Sequence, residues 1–171
     1  MISEVELQSA WERVRDNDGC AGVDGVTVDR YATTAANRLA RLRDSIRVGE
    51  YRPLPLLEIL IAKESGKIRR LLVPAVRDRI LQTVVARQLS RSFEEEFLDV
   101  SYGYRAGRGV DRAVARVLQL RDRGFQFVLD ADVTAFFDSV GHAELKGLLQ
   151  GDETAQEHLE HVAAGMHAAV H

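Results

Sequence analysis

Two apolar runs of strand length, residues 56–62 and 68–73, flank a short glycine-containing stretch, Glu64-Ser-Gly-Lys67, and the second run is closed by Pro74. Such runs, bounded by turn chemistry, predict a β-hairpin. Arg52-Pro53-Leu54-Pro55 forces an extended approach to it. Pro74 ends the second strand and suits the first turn of a helix running to about Phe97. Upstream, apolar residues at 5, 7, 10, 11 and 14 fit a short amphipathic helix that ends in the Asp/Asn/Gly run 16–25. A second helix is predicted from Asp29 to about Val48, with alanine and leucine at three- and four-residue spacing, arginines on the other face, and Gly49 as its stop. Downstream come a loop over 101–109, a helix over about 110–123, a break at Gly124, and a buried strand over 125–133. A further helix is expected over 144–150, and an Ala- and His-rich, helical tail over 151–171. Hairpin and strand among helices make the fold class α+β. No repeat appears, and no linker marks a second domain.

The charge balance matters here only in its distribution. The total of −3, with a pI near 6.0, predicts no nucleic-acid partner. Between residues 63 and 91, however, eight bases (Lys63, Lys67, Arg69, Arg70, Arg77, Arg79, Arg87 and Arg91) face two acids, Glu64 and Asp78. From Gly151 onward there are four acids and no Lys or Arg. A basic middle and an acidic end are hidden in a near-neutral sum. One cysteine, Cys20, excludes an intrachain disulfide and a four-cysteine zinc site. The N-terminus has no apolar signal core, and no apolar run approaches the ~20 residues that span a bilayer. The expectation is a soluble, cytoplasmic chain.

Three segments carry chemistry. In the first, an apolar strand delivers Asp132, and a tight turn then presents Phe136, Phe137 and Asp138. Magnesium wants rigidly held carboxylate oxygens, and a strand end supplies them. An aspartate there can equally be a cap or a surface residue, and the two phenylalanines can be core. In the second, the hairpin bases Lys63, Lys67, Arg69 and Arg70 can fold over a triphosphate. The competing reading is a solvated edge hairpin guarded by charge. In the third, Ser101-Tyr-Gly-Tyr-Arg-Ala-Gly-Arg-Gly109 offers glycines for close backbone approach, arginines for phosphates and aromatics for stacking. His158 and His161 lie one turn apart, but no third metal ligand is evident near them.

Taken together and in this order, the segments resemble the N-terminal part of group II intron-type reverse transcriptases, including retron- and CRISPR-associated relatives. Asp132 with Phe136-Phe137-Asp138 is similar to that family's motif A. Lys63 through Pro74, with Asp78, Arg79 and Gln82, is similar to its fingers motif, and residues 101–109 with Ala113 to its S-Y-G-F-R-x-G-R stretch. The upstream DGCAGVDGVTVD resembles its N-terminal extension. The resemblance covers roughly residues 5–150. It implies a helical fingers region with a β-hairpin over 1–124, the start of a palm over 125–150, and a tail of unassigned role over 151–171. It makes Asp132 a catalytic metal ligand for Mg2+, Lys63, Arg69 and Arg70 nucleotide contacts, and Phe137 the aromatic that screens the sugar 2′ position. Arg70 departs from the small residue or Pro usual at its position. Arg79, Gln82, Tyr104, Arg105 and Arg108 become contacts to nucleic acid. Asp138 is implied to be structural, and His142 follows the family's histidine after motif A.

The family's later Q-G loop and Tyr-x-Asp-Asp block do not occur in these residues. One aspartate cannot hold two magnesium ions. The expected function is therefore a fragment of an RNA-directed DNA polymerase, inactive alone, that supplies dNTP contacts and contacts to RNA template and RNA–DNA duplex. The alternatives are a non-catalytic nucleic-acid-binding or assembly module that retains the fingers, and an inactive truncated product. A palm strand with unpaired edges is expected to recruit a second copy, giving a homodimer.

Overall fold

The computed structural model describes residues 2–62, 66, 68–134 and 136–149, with side chains omitted at 137, 138, 142, 146, 148 and 149. Helix α1 (Glu4–Asn17) starts at a capping box: the Ser3 hydroxyl accepts from the Glu6 backbone N–H at 3.2 Å, and the Glu6 carboxylate accepts from the Ser3 N–H at 2.8 Å. Its inward face is Leu7, Ala10, Trp11 and Val14, at helical spacing. A short helix α2 (Val28–Ala32) is capped by the Thr27 hydroxyl and sends Tyr31 inward. Helix α3 (Ala35–Arg47) contributes Leu39, Leu42 and Ile46.

The single helix predicted from Asp29 to Val48 is thus two. Thr33 and Thr34 are the reason. The Thr33 hydroxyl donates to the Arg30 carbonyl at 2.9 Å, and Thr34 leaves helical geometry at φ −134°. Adjacent β-branched residues with backbone-seeking hydroxyls favour such a break. The far end of α3 matches the sequence reading. Gly49 is left-handed at φ 73°, its N–H meets the Ile46 carbonyl, and the Glu50 N–H meets that of Ser45, a Schellman closure.

Strands β1 (Leu57–Ala62) and β2 (Ile68–Val73) form the predicted antiparallel hairpin, with Leu57 opposite Val73 and Ala62 opposite Ile68. Helix α4 (Val76–Phe93) follows at once and packs chiefly against α1, burying Val76, Ile80, Leu81, Val84 and Val85. Pro74 stands just outside it, because the Ala75 carbonyl is the first to accept helical bonds, from Asp78 and Arg79. The helix stops four residues short of Phe97. Three acids, Glu94-Glu95-Glu96, sit at the end where the helix dipole is negative.

The first half holds nearly all of the core. Every buried hydrophobic residue among those described lies between Ile2 and Val85. The Trp11 and Tyr31 rings meet at 4.9 Å near its centre, an arrangement worth about 0.5–1.5 kcal/mol beyond area burial. Helix α5 (Val110–Asp122) buries no residue. The buried strand predicted over 125–133 is not found: these residues carry no strand pairing, and Phe127, Val128 and Leu129 are exposed. A strand exists only through a neighbour that takes its N–H and C=O groups, and no described strand pairs with this one. Two short helices close the described chain, α6 (Phe136–Ser139), which the sequence did not announce, and α7 (His142–Leu149).

Candidate nucleic-acid interface

The hairpin is positioned from below by one aspartate. Asp78, 2% exposed on the first turn of α4, accepts from the Tyr51 hydroxyl at 2.7 Å, the Leu54 N–H at 3.0 Å and the Arg77 guanidinium at 3.2 Å. Burial, reinforced by the Asp78 carboxylate, pushes the Tyr51 phenol above its ordinary range. The proline-rich approach to β1 is therefore tied to the helix that follows β2. A second tie comes from the N-terminal loop. Gly22 lies so close to the hairpin–helix junction that an added Cβ would stand 2.5 Å from the Ala75 Cα and 2.6 Å from its N.

Arg79 belongs to this brace rather than to an open surface. Its guanidinium donates to the backbone carbonyls of Asp18 at 3.3 Å and Cys20 at 2.8 Å, with Nε buried and unpartnered. Gln82, one turn on, is exposed. The D-R-x-x-Q stretch thus divides its work: Asp78 and Arg79 hold the scaffold, and Gln82 faces outward.

Register separates the two hairpin arginines. Arg69 is opposite Ile61 and Arg70 opposite Leu60, so they stand on opposite faces. Arg70 pairs with Glu58 across the strands and shares its face with the exposed Leu60, Ile68 and Leu72. Arg69, nearest the tip on the other face, makes no hydrogen bond or ion pair among the described residues. Gly66 at the tip is left-handed, at φ 76°. Lys63 and Lys67 lie outside the described residues.

The loop of residues 94–109 is organised around Arg105, the sole buried residue described after Val85. Its guanidinium pairs with Glu94 at 2.7 Å, donates to the carbonyls of Leu98 at 2.7 Å and Ser101 at 3.0 Å, and lies 5.1 Å from the Phe97 ring centroid. That hydrogen bond holds the Glu94 carboxyl below its ordinary value. Arg105 was expected on nucleic acid, but here its donors are directed inward. Arg108 clamps Asp99 through both its side chain and its carbonyl. Tyr104 is the opposite case. It is fully exposed, with a left-handed φ of 56° that a non-glycine residue rarely adopts. Holding Arg105 inside has turned Tyr104 out.

Asp132 is exposed in an irregular segment, and the Phe137 and Asp138 side chains lie outside those described. Among the described residues no three His, Cys, Asp or Glu side chains gather. The described residues do not make up a two-magnesium centre. His158 and His161 also fall outside the described residues. No described helix is long and apolar enough to cross a membrane.

No family model matches the chain. Individual proteins do. It is 39% identical over 125 residues to "Protein YkfC" of Escherichia coli, covering 71% of this chain and 33% of that protein. It is 28% identical over 141 residues to "Group II intron-encoded protein LtrA" of Lactococcus lactis, covering 82% of this chain and 23% of the relative. An "Uncharacterized 91 kDa protein in cob intron" of Schizosaccharomyces pombe is 26% identical over 159 residues, 93% of this chain and 20% of the other. The chain is a homologue of group II intron-encoded proteins and of proteins encoded in mitochondrial introns. It spans a third or less of the relatives it matches.

Proposed function

We propose that the chain is the fingers module of an RNA-directed DNA polymerase, supplying contacts to nucleotide and template–primer. The carrying observation is the Arg69 guanidinium near the tip of the hairpin, which has no partner among the described residues, in a homologue of group II intron-encoded proteins. Arg70 is held by Glu58, so Arg69 is the arginine that meets a triphosphate. Exposed Tyr104 is the stacking platform for a base, and Arg105 and Arg108 serve by holding its loop. Binding of RNA and RNA–DNA duplex is then electrostatic and weakly sequence-dependent. The test is fluorescence anisotropy with a primed RNA template across a salt series. Affinity should fall steeply with salt, and affinity that is flat up to roughly 0.5 M salt would count against the reading. Asp132 acts on magnesium only together with acids that the described residues do not bring near it.

A second reading is a non-catalytic assembly module that pairs with its own copy through residues 125–133. The exposure of Phe127 (98%) and Leu129 (92%) favours it, because adjacent large apolar side chains in water are costly. Light scattering over a concentration series checks it: a chain that stays monomeric at ~100 µM does not self-associate with even modest affinity.

A further inference from the structure

A cavity of about 560 Å³ opens between α2, α3 and the start of α4, on residues that the fingers reading does not use. Its walls carry Arg38, Arg41 and Arg77 against one acid, Asp24, and the charge of Arg77 is met from behind by Asp78. Two of the arginines are already fixed. Arg38 donates to the Thr34 hydroxyl at 2.7 Å and lies 5.2 Å from the Tyr31 ring centroid. Arg77 donates to Asp78 at 3.2 Å and to the Arg52 carbonyl at 2.5 Å. Arg41 is exposed and makes no hydrogen bond or ion pair among the described residues.

The helix start in the wall also favours an anion. Tyr31, 2% exposed, forms part of the wall, with its hydroxyl closed off from solvent. Thr34, also in the wall, begins α3 with no side-chain cap, because its hydroxyl is taken by Arg38, and the first turn of α3 has no acid. A helix start of this kind leaves its first N–H groups without an intrahelical partner.

We propose that this cavity is a phosphate-binding site, for the phosphate of a nucleotide or of a nucleic-acid backbone, separate from the hairpin and the Tyr104 loop. Preordered guanidinium forks beside an uncapped 13-residue helix match a tetrahedral oxyanion, with room beside it for an attached sugar. The proposal does not depend on the polymerase reading.

Calorimetric titration of the full chain with inorganic phosphate, adenosine monophosphate and a short RNA tests it, with Trp11 fluorescence as a second readout. At least one of the three should bind with a Kd of about a millimolar or tighter. Arg41→Gln should weaken that binding roughly tenfold without lowering the unfolding midpoint, since Arg41 supports nothing in the fold. Arg47→Gln, which removes an exposed charge elsewhere on α3, should change binding little. Tighter binding of the RNA than of the monophosphate assigns the site to a chain backbone, and equal binding assigns it to free phosphate; both support it. No binding of any probe at roughly 10 mM, or equal losses in Arg41→Gln and Arg47→Gln, would overturn it.

Discussion

The two halves of this chain use arginine in contrasting surroundings. Up to Val85 a helical core is closed, and Arg79 and Arg77 stitch loops to its edge through backbone carbonyls. Beyond it α5 buries nothing, and a single arginine, Arg105, gathers a whole loop around itself. An apolar core fixes a segment by area, with many small contributions. A buried guanidinium fixes one by a handful of directional bonds that all fail together. The first half should therefore respond to steric change, and the second to charge and pH.

The largest effect is expected at Gly22. Gly22→Ala places a Cβ against the Ala75 backbone and should cost about 3 kcal/mol in chemical denaturation. Gly25→Ala is its control. The Gly25 site is left-handed at φ 64° but has open space around it, so the cost should be about 1 kcal/mol. Equal costs would mean that the N-terminal loop does not press on the hairpin–helix junction.

Next comes Asp78→Ala, which leaves the Tyr51 hydroxyl and the Leu54 N–H without their acceptor. About 2 kcal/mol should be lost, with hydrogen exchange at the hairpin base accelerating more than that in α1. Uniform exchange across both would break the idea that Asp78 ties the hairpin in particular.

Tyr104→Ala should spare stability and weaken single-stranded RNA binding about tenfold, the size of one lost stacking contact. Arg69→Ala should lower the salt slope of binding by about one unit, and Arg70→Ala by less. Equal slopes for the two variants would remove the distinction drawn from register.

The smallest effect separates the halves by pH. Arg105 holds the Glu94 carboxyl below its ordinary value of 4.5. Its stabilising contribution is complete above about pH 4.5 and is lost as acid carries the solution down through the lowered folded value. Protease nicking of the 94–109 loop should rise in that window by more than in α1, where hydrogen bonds to Ser3 also hold the Glu6 carboxyl below its ordinary value, and Glu94→Gln should abolish the difference. Glu94 is half exposed, so the change should be modest.

Local chemistry made much of this legible beforehand. The hairpin was readable because strand-length apolar runs, Gly66 and Pro74 all act within a few residues, and Gly49 closed α3 for the same reason. The order of the three motifs pointed to group II intron-type proteins, and homologues of that kind are what the chain has. The split at Thr33–Thr34 was available in principle from two adjacent hydroxyls but was outweighed by the helical spacing around it. Tertiary structure alone decided the rest. Spacing cannot say that Arg79 is consumed by backbone carbonyls 59 and 61 residues away, or that Arg105 turns inward to its own loop, while Arg69 and Arg41 have no partner among the described residues. Nor can it say that residues 125–133 stay exposed, because apolar composition records what a strand could bury and only a neighbouring strand makes it one.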